Sequence, residues 1–457
     1  MHETKLFFAV IVAFAISAAS LFAEEEIIGQ VLDTDRTDWW GGDGFTGDWF
    51  GTRTTLADHG LDLFGSYTVD IFGNTAGGLK TGTVYAGSLQ FGAELDLESL
   101  MGWKGGSLST TWMWLSGRDA SKDLVGNFLT ISNIAGFNTL RMFELWFQQT
   151  LLDDKVSVRV GQLAADSEFI ISDYACLFLN GTFGWPSFAY MNIPAGGPGY
   201  PMGTLGFRFA LQPVEWFTFL TAAFQGNVFA EDVNRHGFRY RLDAVTGYTF
   251  INEGQFRWNH AEEETGLRGG LKAGAWFQSG RTADALADST SSGNLGAYFI
   301  LDQMLYRETD TMIELPPVEA NGATDSKHAK KTTPSASEKS DQGLGFFTRV
   351  SFSPQDRNYV SFYFDTGLSF KGLVPSRDAD TIGVGFGYAH ISKGARFALR
   401  EDDATPVGAE MVLEATYQVQ VNEWLVVQPD LQVIINPNAT SDLGNALVLG
   451  FRGAVTF

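Results

Sequence analysis

Three things are scarce in this sequence. It has one cysteine, Cys176, so no intrachain disulfide can hold it. Charged residues make up only 18% of its 457 residues, below the usual share of about a quarter. Beyond residue 23 no apolar run is long enough for a membrane-spanning helix. Catalytic signatures are missing too: there is no G-x-S-x-G, H-E-x-x-H, P-loop or C-x-x-C. The 6 histidines are scattered without ligand spacing, so neither a metal nor a cofactor is expected. An enzyme is not expected. An envelope hydrolase, the other class in play, would need a Ser or His pair at a strand mouth, and no convincing pair stands out. The net charge of −22 argues against nucleic acid as a partner.

Glycine and phenylalanine, by contrast, are abundant, at 52 and 38 residues. The chain opens MHETKLFFAVIVAFAISAASLFAEEE. Residues 1–23 read as a secretory signal, with Lys5, an apolar run Leu6–Phe22, and Leu21 and Ala23 in the small-residue positions. The alternative is an anchor helix, for which the run is slightly short. Residues 24–45 are acidic and Gly-rich and are expected to be flexible.

Past residue 60 the pattern is period two. In ALVLGFRGAVTF, Leu447, Leu449, Phe451, Val455 and Phe457 share one face. SLQFGAELDL, MFELWFQQ, VSVRVG, LGFRFALQ and AEMVLEATYQVQV repeat the theme, each with polar residues opposite an apolar stripe. About 16 such segments begin near Leu61, Gly87, Gly106, Leu140, Val156, Thr204, Trp216, Thr246, Gly266, Asn294, Gly343, Asn358, Ala379, Ala409, Leu425 and Ala446. Most have the length of a tilted membrane strand. An even count with alternating short and long connections predicts an all-β, 16-stranded antiparallel transmembrane outer-membrane β-barrel over 61–457. That places the chain in the Gram-negative outer membrane, against its lipid. Within 46–60, Asp48 is expected to cap a short helix that Gly60 ends, either on the surface or at the barrel mouth.

Two connections stand out. Leu163 to Gly203 follows the fifth strand and is rich in Phe, Ile, Leu, Tyr and Trp. It is expected to fold inward as the third outer loop and narrow the channel, with Asp166, Glu168, Asp173 and Asn180 facing the passage and Trp185 beside them. Cys176 would be a small buried apolar residue of that loop. The connection 308–342 is poor in apolar residues and reads as a disordered insertion. Strand parity puts it on the periplasmic side.

The polar faces must line water. An Arg or Lys facing lipid at mid-membrane costs about 2–4 kcal/mol. Pointing Arg159, Arg208, Arg268, Lys272, Arg349 and Arg452 outward would cost on the order of 10–20 kcal/mol, more than a domain's stability. Arg159, Gln162, Arg208 and Arg349 are therefore expected to line the pore with Glu94, Asp96, Glu144 and Trp146. Bases gather on strands five to eleven and acids on strands one to four and fourteen to fifteen. This predicts a basic wall facing an acidic wall, a field that favours neutral hydrogen-bonding solutes.

The blocks GDWFGTRTTLADHGLDL, GQLAADSEF, SDYACLFLNGTFGWP, GGPGYP, FKGLVPSRDADTIGVGFGYAHIS and LEATYQVQVNEWLVVQPDLQVIINP resemble the carbohydrate-selective porins of the OprB family, in order from about Gly47 to Phe457. The resemblance implies a barrel that passively admits glucose and related small neutral sugars, with a constriction of arginines and carboxylates and an inward third loop. By position in the first block it adds Arg53 as a candidate lumen arginine. A general, non-selective diffusion porin is the alternative function. Monomer and trimer are both compatible with the sequence.

Overall fold

The computed structural model describes residues 44–229, 231–242, 246–261, 266–284, 289–308 and 342–457. The expected signal (1–23), nearly all of the N-terminal segment 24–45 and the core of the inserted connection 308–342 lie outside the described residues.

The described chain closes into a barrel of β1 (Leu61–Gly78), β2 (Gly82–Asp96), β3 (Gly106–Gly117), β4 (Thr139–Leu151), β5 (Val156–Leu163), β6 (Thr204–Val214), β7 (Phe217–Gln225), β8 (Tyr248–Trp258), β9 (Gly269–Asp284), β10 (Ser289–Arg307), β11 (Gly343–Phe352), β12 (Val360–Lys371), β13 (Thr381–Ile391), β14 (Ala409–Asn422), β15 (Leu425–Ile435) and β16 (Gly444–Thr456). Each strand pairs antiparallel with its sequence neighbour, and β1 pairs with β16, so no sheet edge is left open to lipid. The closing register sets Asp70 opposite Arg452 on the inner face and Ile71 opposite Phe451 on the outer face. Outward residues such as Leu449 and Phe451 remain exposed, as a lipid-facing stripe must. No described helix is long and apolar enough to cross a membrane.

Strand starts agree with the pattern to within a few residues. The largest shifts are at β2 and β10, which begin at Gly82 and Ser289 rather than Gly87 and Asn294. Both extensions lie at the barrel end where β1 turns into β2. Strands that rise beyond lipid need no apolar stripe there.

Turns at the other end are tight. Leu152, Asp153 and Asp154 all have positive φ (57°, 52° and 63°) between β4 and β5. Long connections 118–138, 164–203, 226–247 and 392–408 gather at the opposite end, which identifies it as extracellular. The connection 308–342 leaves from the end at which β1 begins and β16 ends. Its flanks Arg307 and Gly343 are register partners, so it interrupts a hairpin without disturbing the pairing.

The N-terminal helix is shorter than expected, Thr52–Asp58. Asp48 still accepts from the Thr54 N–H (2.9 Å), and Gly60 (φ +86°) stops the helix. The segment is tied to the last strand: Phe45 N donates to Thr456 O (2.8 Å), and Phe45 packs on Trp424 and Phe457.

Candidate functional site: a lumen narrowed by two inward loops

The connection 164–203 cannot be one helix or strand, because its polar and apolar residues follow no period. It folds instead as short turns, among them Ala175–Leu177, Gly181–Phe183 and Ser187–Tyr190. Its Phe169, Phe178, Phe183 and Phe188 are buried inside the barrel. Phe178 packs on Phe183 (4.8 Å) and on Phe347 of β11 (5.7 Å), and Phe188 on Tyr363 of β12 (5.4 Å). Each ring removed from water contributes about 2 kcal/mol. The wall makes room for them. A Cβ on Gly345 would lie 2.1 Å from Tyr174, and one on Gly385 would lie 2.9 Å from Phe183.

Polar groups on the wall fix the loop in register. Glu414 accepts from Leu179 N (2.6 Å) and Asn180 N (3.0 Å), and Glu253 accepts from Ile170 N (3.0 Å) and Tyr298 OH (2.8 Å). Asp302 accepts from Ser172 Oγ (2.6 Å), while Lys272 Nζ donates to Ile171 O (2.7 Å) and Gln428 Nε2 to Leu177 O (2.8 Å). Arg349, paired with Asp365 (2.6 Å), donates to the carbonyls of Ile170, Thr182 and Gly184. A loop buried away from water needs such partners for its main chain.

The connection 118–138 also folds inward, which the strand pattern did not reveal. Glu410 accepts from Phe128 N (3.1 Å) and Leu129 N (2.6 Å), and Gln432 donates to Ile131 O (2.9 Å). The two loops then lock together. Asn133 N donates to Leu179 O (2.8 Å) and Gly181 N to Thr130 O (2.7 Å). A usable signal was present in DLVGNFLTISNIAGFN, which mixes apolar and polar residues as the third loop does.

These loops bury the inner face from β7 round to β15: Leu220, Phe224, Glu253, Trp276, Tyr298, Phe347, Tyr363, Val412, Glu414 and Gln432 are nearly inaccessible. The opposite wall stays open over its lower part, where Asp62 and Glu94 are exposed and Ser66, Thr68, Gln90 and Thr111 half-exposed. Above it lies a cavity of about 350 Å³ between the loops and the wall, lined by Gln90, Ser132, Asn133, Asp166, Tyr200, Glu231 and Arg452 among others. Arg452 holds Asp70 by two contacts (2.6 and 2.7 Å) and Asn133 by a third (2.6 Å). Arg159 lies 3.9 Å above the Trp146 ring, donates to Gln148 Oε1 (3.1 Å) and stands 3.8 Å from Glu168. Asp166 accepts from Tyr200 N (2.7 Å), and exclusion of bulk water pushes its carboxyl up to about 6 despite that donor.

Comparison with known proteins decides the family. The profile of the carbohydrate-selective porins, OprB family, matches residues 80–457. The chain belongs to the OprB family. It is similar to Porin B of Pseudomonas aeruginosa (24% identical over 446 residues, covering 90% of each chain) and to the putative porin QuiX of Acinetobacter baylyi (22% over 467 residues, covering 97% of this chain and 98% of the relative). The high-pH structure of Pseudomonas putida OprB superposes with a TM-score of 0.75 at 22% identity, covering 91% of this chain and 99% of that one. This likeness reports the barrel fold. The protein is thus a carbohydrate-selective porin of the Gram-negative outer membrane, a channel rather than an enzyme.

In this OprB-family porin several expected pore residues do other work. Arg349 is fully buried beneath the third loop, where it neutralises Asp365. Asn180 is also fully buried, donating to Leu129 O (3.0 Å) and Gln432 Oε1 (3.0 Å). Trp185 is 9% exposed, its Nε1 bound to Gly196 O (2.8 Å). The Gln162 amide is spent on Met142 O (2.8 Å) and Phe143 O (2.9 Å), because β4 outruns β5 and leaves those carbonyls unpaired. Asp96 caps the helical turn Leu97–Met101 outside the lumen. Arg53 donates to Leu63 O (2.9 Å) and anchors the N-terminal helix. Arg208 is covered, holding Glu168 (2.8 Å) and Gln148 (2.8 Å). Glu144 accepts from Ala164 N (3.0 Å) at the root of the loop. Cys176 is exposed rather than buried, its Sγ donating to Ser172 O (3.2 Å). Asp173 is exposed, 3.9 Å from Lys272.

The expected basic and acidic walls do not face each other across water. Their charges are consumed locally: Asp365 by Arg349, Asp70 by Arg452, and Glu410 and Glu414 by loop N–H groups. The open wall presents the exposed carboxylates of Asp62 and Glu94 together with the paired Arg159 and Arg452.

Proposed function

We propose that glucose and related small neutral sugars cross along the open wall, past Glu94, Arg159 with Trp146, Asp166 and Arg452, each barrel conducting by itself as a monomer or within a trimer. The observation that carries this is one-sided filling: two clamped loops bury one wall of the lumen together with its polar groups, and leave the wall of Asp62, Ser66, Thr68, Gln90 and Glu94 open. A sugar offers hydroxyl groups that both donate and accept. Arg452 and Arg159 present donors, and Glu168, 3.8 Å from Arg159, presents an acceptor. Because Arg159, Arg452 and Asp166 already have partners, a neutral solute gives up little on passing them. The Trp146 ring, already carrying Arg159, stiffens that guanidinium.

Arg159→Ala removes one charge-assisted donor; of the third loop Arg159 faces only Glu168, which Arg208 still holds (2.8 Å). A lost hydrogen bond of that kind is worth about 1.5 kcal/mol or more, about tenfold in affinity. In planar bilayers, the glucose concentration that half-blocks the ion current should rise about tenfold. An unchanged glucose block in Arg159→Ala would show that the sugar does not use this wall.

A further inference from the structure

A second feature lies on the outer surface of the barrel. Pairing of β4 with β5 stops at Leu145–Gln162, so the upper end of β4 lacks a neighbour on that side. The segment 231–242 of the following outer connection covers this seam. Met142 N donates to His236 O (3.1 Å), His236 Nδ1 lies 2.8 Å from Leu140 O, and Thr139 Oγ1 donates to Arg235 O (2.8 Å). Gly237 (φ +83°) presses so close that a Cβ would lie 2.2 Å from Met142 O. Phe238 packs against Trp112 (5.9 Å), whose register partners Phe91 and Met142 place it on the outward stripe. The segment therefore lies on the outside of the barrel near its extracellular rim.

Its sequence there is NRHGFRYRL, Asn234 to Leu242. Three arginines and a histidine fall within seven positions of a chain whose net charge is −22. Arg235, Arg239 and Arg241 are exposed, and Phe238 and Leu242 are 55% and 59% exposed beside them. Greasy side chains interleaved with arginines, at the height where acyl chains meet headgroups, satisfy both halves of a lipid at once. Arginine is the side chain whose planar fork matches phosphate oxygens. Arg239 already stacks over Phe229 (5.8 Å), which holds its plane. Of the acids on the segment, Glu231 is engaged by Lys122 (3.3 Å) at the mouth; Asp232 is exposed.

We propose that this strap is a docking site for a phosphorylated lipid of the outer leaflet, with the arginines on the phosphate groups and Phe238 and Leu242 among the acyl chains. The test uses full-length protein in detergent, titrated with bisphosphorylated lipid A and read by native mass spectrometry. Wild type should bind saturably, and the triple variant R235Q/R239Q/R241Q should lose at least about tenfold in affinity. Dephosphorylated lipid A should bind no better to wild type than to the triple variant, and inorganic phosphate should not compete. A heat-modifiable gel shift and unchanged ion conductance report that the barrel is intact. If the triple variant fails that control, Arg239→Gln alone, which leaves the Arg235–Asn138 contact in place, should still lose about threefold or more. Equal binding by the folded variant, equal binding of dephosphorylated lipid, or displacement by inorganic phosphate would each overturn the proposal.

Discussion

Arg349→Met will raise single-channel conductance several-fold and leave the barrel folded. Arg349 sits inside the wall with no exposure and ties both arms of the third loop to it, through Ile170 O (3.2 Å) on one side and Thr182 O (2.9 Å) and Gly184 O (3.1 Å) on the other. Methionine fills much of the same volume but donates nothing. Asp365 is then left buried without its cation, retaining the main-chain N–H of residue 349 (3.1 Å) and Tyr363 OH (2.6 Å). Breaking one partner of a buried pair costs about 3–5 kcal/mol. That cost falls on the loop, because sixteen paired strands carry the barrel independently. A loop that spends part of its time off the wall lets water and ions into the filled half. The double variant R349M/D365L removes both charges together and should recover part of the wild-type conductance, since a pair replaced by apolar groups costs less than a pair broken. Planar-bilayer recordings of the three proteins check this. Wild-type conductance in Arg349→Met would mean that the aromatic packing alone holds the loop.

Deleting Ser172 to Trp185 should have the larger effect, a wide channel whose current glucose no longer blocks. The segment carries Phe178 and Phe183 and the N–H groups that Glu414 receives. Beneath it the wall is built thin, with Gly345, Gly383 and Gly385 where side chains would otherwise project. Removing the loop therefore leaves open space that no wall residue can fill. Glu414 and Arg349 become wetted, which charged groups tolerate well. Recordings should show a conductance above that of Arg349→Met and no saturable sugar block. An unchanged conductance would make the segment a lid rather than a constriction.

The barrel was legible in the sequence because lipid imposes a simple rule on every strand. The stripe Leu447, Leu449, Phe451, Val455 and Phe457 has to alternate, whatever the channel does. The inward third loop was legible from composition alone, since so many aromatic residues need burial. Which loop residues face water was not legible, because a chain of short turns has no period. Asn180 and Asp173 look alike in sequence, yet one is fully buried and the other exposed. For Arg349, alternation identified the inner face correctly but could not say that a loop covers it. At Gln162 the alternation is kept and the pore-lining expectation departed from it: its register partner Leu145 lies on the outward stripe, and its amide serves the Met142 and Phe143 carbonyls beneath the segment 231–242. The charge pattern misled for a related reason: a carboxylate that receives loop N–H groups reads in sequence like one that faces solute.

Liposome swelling separates selection of sugars by the open polar wall from passage by size alone, with purified protein and a series of glucose, larger disaccharides and small non-sugar solutes of matched size. Faster entry of glucose than of a size-matched solute without its hydroxyl pattern is the predicted result. Rates that depend on solute size alone would contradict the account and leave a general diffusion pore.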